Sequence, residues 1–209
     1  MYKIITTPEE EAAFRGIWNK ATAEAGWLDD PYYQEAVRYF ILHNSHKNII
    51  GTIEFVPCTM IPAEKINYRY SSGAFLKDTV WEIDRVTLVE GYRKKGFMKY
   101  IFKAIKHHYK TYQPEGYIGL MDKKFYDNIQ RFCGSDLKKT GPVWRNQNSA
   151  LVPVYFPVKE IAKRKKYLYY AKIAFYYSYL NYKKLRIKWV PGLKLRKVKK
   201  RIDMFFIKN

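Results

Sequence analysis

The chain has 209 residues and a formal net charge of +20, from 39 Lys/Arg against 19 Asp/Glu. That length accommodates one full domain plus an appendage, with volume for a real core. No apolar run approaches the roughly 18–20 residues of a membrane span. The start of the chain lacks the charged-then-apolar layout of a signal peptide, and Cys58 and Cys133 match no metal or redox spacing. A reducing cytoplasm is the expected compartment.

Thr7-Pro8-Glu9-Glu10 combines a capping box with proline at the first helical position. It predicts a helix carrying Phe14, Ile17 and Trp18 on one face and ending near Ala25-Gly26, after a weak edge strand over 1–6. The Asp-Asp-Pro chemistry of Trp27 to Glu35 predicts a loop. Val37–His43 and Asn48–Val56 read as a hairpin ended by Pro57, and Cys58 to Lys77 as irregular chain. Trp81 to Leu88 follows as a strand. Phe97, Met98, Ile101, Phe102 and Ile105 then recur at helical spacing up to the Pro114-Glu115-Gly116 turn. Tyr117–Met121 is a short strand, parallel to the preceding one if the helix is a crossover. Lys123–Cys133 is a helix ended by Gly134. Leu151–Val158 is a strand whose Pro153 and Pro157 favour a sheet edge. The order predicts an α/β (α+β) fold with a mixed sheet holding one parallel pair.

Between the Trp81 strand and the helix, Arg93-Lys94-Lys95-Gly96 sets cations and flexible backbone at a helix start. The first helical amides lack internal partners and the macrodipole is positive there, so such a loop can bind a phosphate. An ordinary crossover with a solvated loop is the alternative.

These residues resemble the GNAT superfamily of N-acyltransferases. Its hallmark is a strand, an Arg/Gln-x-x-Gly-x-Gly/Ala loop, a helix and a parallel strand. Here that hallmark reads Val86-Thr87-Leu88, then Arg93-Lys94-Lys95-Gly96-Phe97-Met98. Trp81-Glu82-Ile83-Asp84-Arg85 is similar to the W-E-x-x-R of acyl-homoserine-lactone synthases and long-chain N-acyl amino acid synthases. Ala25-Gly26-Trp27-Leu28-Asp29-Asp30 resembles their acidic substrate loop, Tyr39–Leu42 their second strand, and Ile50-Gly51-Thr52 the start of their third. The resemblance covers residues 1–158, which it makes a GNAT-like domain, with 159–209 as a basic, aromatic-rich extension.

The resemblance implies acyl transfer from a phosphopantetheine thioester, on an acyl carrier protein or coenzyme A, to a small amine such as an amino acid; the histidines show no metal-ligand spacing, so no metal is expected. Amine acylation needs a base, oxyanion stabilisation and a thiolate that can leave. Glu82 is then the base, through water, and Arg85 orients it or binds a substrate carboxylate; a structural Glu–Arg pair is the alternative. A regular strand would send residues three apart to opposite faces. A bulge near Val86 would aim both at one cleft and free amides around Val86 and Leu88 for the thioester carbonyl. Arg93, Lys94, Lys95, Gly96, Phe97 and Met98 form the phosphate cradle. Met98 stands where the family has a small residue, which favours a carrier's single phosphate over the coenzyme A pyrophosphate. Asp29 and Asp30 could hold the amine or form a solvated turn. The position of the family's tyrosine acid falls near Ile129 or Gln130, so that tyrosine is not in place; Tyr126 lies about one turn earlier, either as acid or as packing.

Residues 159–209 hold 17 Lys/Arg against Glu160 and Asp203, a net of +15; the first 158 carry 22 against 17, a net of +5. This extension begins as a helix, Lys159 to Tyr182, basic and then tyrosine-rich. An anionic membrane face, an acidic carrier protein or packing on the domain would suit it, with nucleic acid least favoured. A peripheral position on the inner membrane face follows from the first. Two rival functions are a short-chain acetyltransferase using acetyl-CoA, and a non-catalytic module whose tail binds membrane or RNA.

Overall fold

Thr7 starts the first helix as expected. Its hydroxyl accepts the Glu10 amide at 3.3 Å, and the Glu10 carboxylate takes the Thr6 amide at 3.0 Å. Gly26, at φ 71°, closes that helix in the left-handed conformation that costs glycine nothing. The structure, a computed structural model, describes residues 1–163 apart from 28–30, 44–47, 72, 76 and 94.

Within them the order is β1 (Tyr2–Ile4), α1 (Pro8–Ala25), β2 (Val37–Leu42), β3 (Ile49–Pro57), α2 (Ala63–Tyr70), β4 (Val80–Leu88), α3 (Met98–Tyr112), β5 (Gly116–Asp122), α4 (Lys123–Cys133), β6 (Lys138–Lys139), β7 (Trp144–Arg145), β8 (Ala150–Phe156) and α5 (Val158–Lys163). The strands form one sheet in the order β1-β2-β3-β4-β5-β8-β6, with β7 also on β8. Only the β4–β5 pair is parallel, joined through α3. This is the mixed α/β sheet with a single parallel pair that the element order predicts.

The alternation of the strands divides the sheet into two faces. On one, Tyr39, Ile41, Ile53, Phe55, Trp81 and Tyr117 pack beneath Tyr100, Ile101 and Ala104 of α3. Tyr126 of α4 seals the same face further along, with Leu137, Val152 and Val154. Each such side chain, fully buried, contributes about 1.5–3 kcal/mol of transfer free energy. On the other face, Phe14 of α1 packs on Phe40. There Ile66 and Tyr70 of α2 pack on Val56, Val80 and Ile118.

Two expectations need correcting. The stretch read as irregular, Cys58 to Lys77, contains α2, which starts after Pro62 and ends in a left-handed Ser71 at φ 52°. Its apolar positions, Ile66 and Tyr70, are one helical turn apart, too few to register as a periodic run. β8 is not an edge strand. It lies between β5 and the two short strands β6 and β7. Pro153 is tolerated because that outer neighbour is interrupted: β6 pairs with Val154 and Tyr155, β7 with Ala150 and Leu151. Opposite the break, the Thr140 amide donates to the Pro153 carbonyl at 3.0 Å.

The extension begins inside α5. Val158 and Ile161 are buried, and the Lys159 amide donates to the Glu115 carbonyl at 3.1 Å. The expectations for 164–209 lie outside the described residues. No helix among the described residues is long and apolar enough to cross a membrane.

Candidate active site

The expected bulge is present in β4. Thr52 of β3 pairs with Thr87 and Glu54 with Asp84, so Ile53 alone faces two residues, Arg85 and Val86. Arg85 adopts φ 49°, a left-handed conformation costing an L-residue about 1–2 kcal/mol. Its surroundings hold it there. The Asp84 carboxylate accepts the Arg85 amide at 2.7 Å, and the Thr52 hydroxyl donates to the Arg85 carbonyl at 2.8 Å. Gly51 lets β3 close on this point, because a Cβ there would lie 2.2 Å from the Thr87 carbonyl oxygen.

The extra residue turns Arg85 to the α1/α2 face, where a polar layer lies buried. Its guanidinium is ion-paired to Glu54, lies 3.3 Å from Asp84, donates to the Pro31 carbonyl at 3.3 Å and covers the Tyr32 ring at 4.0 Å. Arg38 of β2 meets Glu54 at 2.5 Å and Glu11 of α1 at 2.8 Å. Glu54 is wholly buried, which raises its pKa, and Arg85 and Arg38 offset only part of the rise.

Glu82 lies on the same face, since it pairs with Val56 and Ile118. Tyr70, the last residue of α2, donates its hydroxyl to Glu82 Oε1 at 2.5 Å, and Arg69 Nη1 is 3.3 Å from the same oxygen. Burial, then the Glu82 charge, push the Tyr70 phenol well above its ordinary pKa. Glu82 is also the last β4 residue in the parallel ladder, which covers only Val80–Glu82 against Gly116–Ile118. Beyond it β4 runs on to Leu88 while β5 stays paired with β8. The two strands part beyond Ile83, whose carbonyl oxygen a Cβ on Gly119 would still meet at 2.9 Å.

At the far end of β4, Leu88 is buried and Val86 is 38% exposed. Arg93 donates to the Leu88 carbonyl at 2.7 Å and pairs with Glu24 of α1 at 3.0 Å, so its guanidinium ties the loop to the strand end and to α1. Gly96, at φ 81°, makes the turn into α3, and Lys95 is exposed. No side chain caps that helix start at Phe97. Phe97 stands edge-on to Tyr92 and His43, and Met98 leans on the core beneath α3. Asp29, Asp30 and Lys94 lie outside the described residues.

Glu82 and Arg85 thus lie on one face, the Arg93–Met98 loop follows at the end of the same strand, and Tyr126 does not join them. Its ring packs under α4 on the opposite face, with Val152 and Val154, which pair with Met121 and Gly119. Sequence reasoning missed Glu54, Arg38, Tyr32, Arg69 and Tyr70. A signal existed for Glu54: one carboxylate inside the apolar run Ile49–Pro57 demands a buried cationic partner. Among the described residues no His/Cys/Asp/Glu group could hold a metal ion.

The fold is similar to that of solved acyl-homoserine lactone synthases and of an N-acyl amino acid synthase. Among solved structures similar to it are the acyl-homoserine lactone synthase LasI (TM-score 0.61, 13% identity, 78% of this chain and 93% of that one) and FeeM, an N-acyl amino acid synthase from uncultured soil microbes (0.55, 14%, 78% and 97%). BjaI, a CoA-dependent acyl-homoserine lactone synthase solved with SAM and isopentyl-CoA, is similar at 0.58 and 12% identity, over 79% and 88%. No protein-family model matches the chain, and no curated protein matches it in sequence.

Proposed function

We propose that the chain is an N-acyltransferase that moves an acyl group from a phosphopantetheine thioester to the amine of a small acceptor such as an amino acid. The observation that carries this is the bulge at Arg85, which puts Glu82 and Arg85 on one face where β4 and β5 separate. Similarity in fold to LasI, FeeM and BjaI supports the same reading.

In the reaction, Glu82 takes a proton from the acceptor ammonium through a water molecule, and the freed amine attacks the thioester carbon. The C–N bond forms, the tetrahedral oxyanion collapses, the C–S bond breaks, and the thiolate leaves to be protonated. The loop from Arg93 to Met98 and the uncapped start of α3 receive the donor's phosphate. Acyl carrier protein and acyl-CoA are both donors of this chemistry. The net charge of +15 over residues 159–209 supports an acidic carrier, steered in by Coulomb attraction. A thioester donor of this kind supports a cytoplasmic site for the reaction.

Glu82→Gln and Arg93→Ala are each expected to abolish most turnover, Glu82→Gln by about 10²–10⁴-fold. Release of free thiol from acetyl-CoA, palmitoyl-CoA and palmitoyl carrier protein, each with a mixture of amino acids, measures it. Full transfer by both variants would remove the reading. Strong preference for acetyl-CoA would replace it with a short-chain acetyltransferase.

A further inference from the structure

Glu82 is only 3% exposed. A carboxylate so far from water takes up a proton unless other groups stabilise its charge. Here two donors converge on one of its oxygens: the Tyr70 hydroxyl at 2.5 Å and Arg69 Nη1 at 3.3 Å. They are consecutive residues at the end of α2, an element outside the stretch that carries the rest of the proposed machinery. We propose that Tyr70 and Arg69 are positioning residues that hold Glu82 ionised and fix the direction of its carboxylate, so that it can serve as the base at neutral pH. This rests on the acyl-transfer reading above.

Three features fit Tyr70 for this. It is fully buried among Val56, Cys58, Ile66, Val80 and Ile118, so its ring has one place to be. Burial and the facing carboxylate keep its phenol protonated far above neutral pH, so it is a permanent donor and never a competing base. A hydrogen bond given to the charged form favours that form.

The end of α2 is itself braced. Tyr68 stands edge-on to Trp144 with centroids 4.7 Å apart. Gly141 lies so close to the Arg69 carbonyl that a Cβ would come within 3.0 Å of it. The strap from β6 to β7 therefore clamps the turn that carries both donors. Cys58 on the same face has its thiol pKa raised by burial and then by Glu82, which keeps it from acting as a nucleophile.

The test is the pH profile of kcat/KM for the acceptor in full-length wild type, Tyr70→Phe and Arg69→Gln. Removing a donor makes the Glu82 carboxylate easier to protonate. The acid limb is expected to move up by about one pH unit in each variant, a tenfold loss on that limb, while KM for the acyl donor stays as it was. An acid limb unmoved in a folded Tyr70→Phe protein overturns the proposal, because a merely structural tyrosine would alter stability and leave the limb in place. If Tyr70→Phe does not fold, Arg69→Gln decides in the same way, since Arg69 is partly exposed and outside the packed cluster. Absence of acyl transfer in wild type would instead remove the reading on which the proposal stands.

Discussion

β4 carries two opposite solutions to burial, one on each face. Towards α1 and α2, Glu82, Asp84 and the turned Arg85 sit with Glu54, Arg38 and Arg69, and the charges are kept inside by pairing. Towards α3, Trp81 and Ile83 meet Phe55, Tyr117 and His108, and the one imidazole among them is kept inside by staying neutral. His108 is fully buried, stacked 4.0 Å from the Phe55 ring and 4.6 Å from Tyr112, with Nδ1 on the Tyr117 hydroxyl at 2.9 Å. Its pKa is lowered to about 3, by burial first and His107 second. Adjacent residues of one strand thus lie in different electrostatic media. The chemistry proposed above uses the face on which a buried carboxylate has charged and hydrogen-bonding partners.

That contrast can be broken most severely at Glu54. Glu54→Ala leaves Arg38 and Arg85 buried without their shared carboxylate, and breaking a buried pair from one side costs about 3–5 kcal/mol. Urea unfolding should show the midpoint fall accordingly. A change under about 1 kcal/mol would mean that Asp84 and Glu11, not Glu54, balance the two guanidinium groups.

The apolar face is sharpened by pH. The unfolded chain protonates His108 below about 6.5, its ordinary value, whereas the folded protein resists down to about 3. In that window the unfolded state binds more protons, so stability is full above pH 6.5 and falls as pH drops toward 3. The slope approaches about 1.4 kcal/mol per pH unit. His108→Gln should flatten the difference between pH 6.5 and 5. Equal slopes in wild type and variant would show that the ring is not held neutral.

The smallest effect belongs to an ion pair that neither face encloses. Glu24 and Arg93 meet at 3.0 Å with side chains 36% and 42% exposed. Glu24→Ala should cost no more than about 1 kcal/mol, and less in high salt. Thermal melts at two salt concentrations measure it.

Much of this was legible in residue order. The Thr7 cap, the hairpin of β2 and β3, the β4–loop–α3 unit and the parallel return in β5 each carry a local signature, and local signatures survive without tertiary context. Even the bulge could be inferred, because Glu82 and Arg85 stand three apart in a strand where alternation would separate them. α2 was hidden because eight residues with two buried positions make no period. β6 and β7, two residues each, exist only as partners of β8. The place of Tyr126 in the chain suits an acid, but the sheet puts its ring under α4, on the face away from Glu82.

What the chain determined by itself was the order of elements, the place of the Arg93–Met98 loop and the choice of Glu82 and Arg85 as residues of one face. These depend on neighbours within a few residues, through caps, alternation and helical period. Only the tertiary structure decided which groups stabilise them. Tyr70 lies 12 residues before Glu82, Glu54 lies 31 before Arg85, and Tyr32 lies further still. A buried charge takes its partners from whichever elements fold over it, and distance along the chain sets no limit on that.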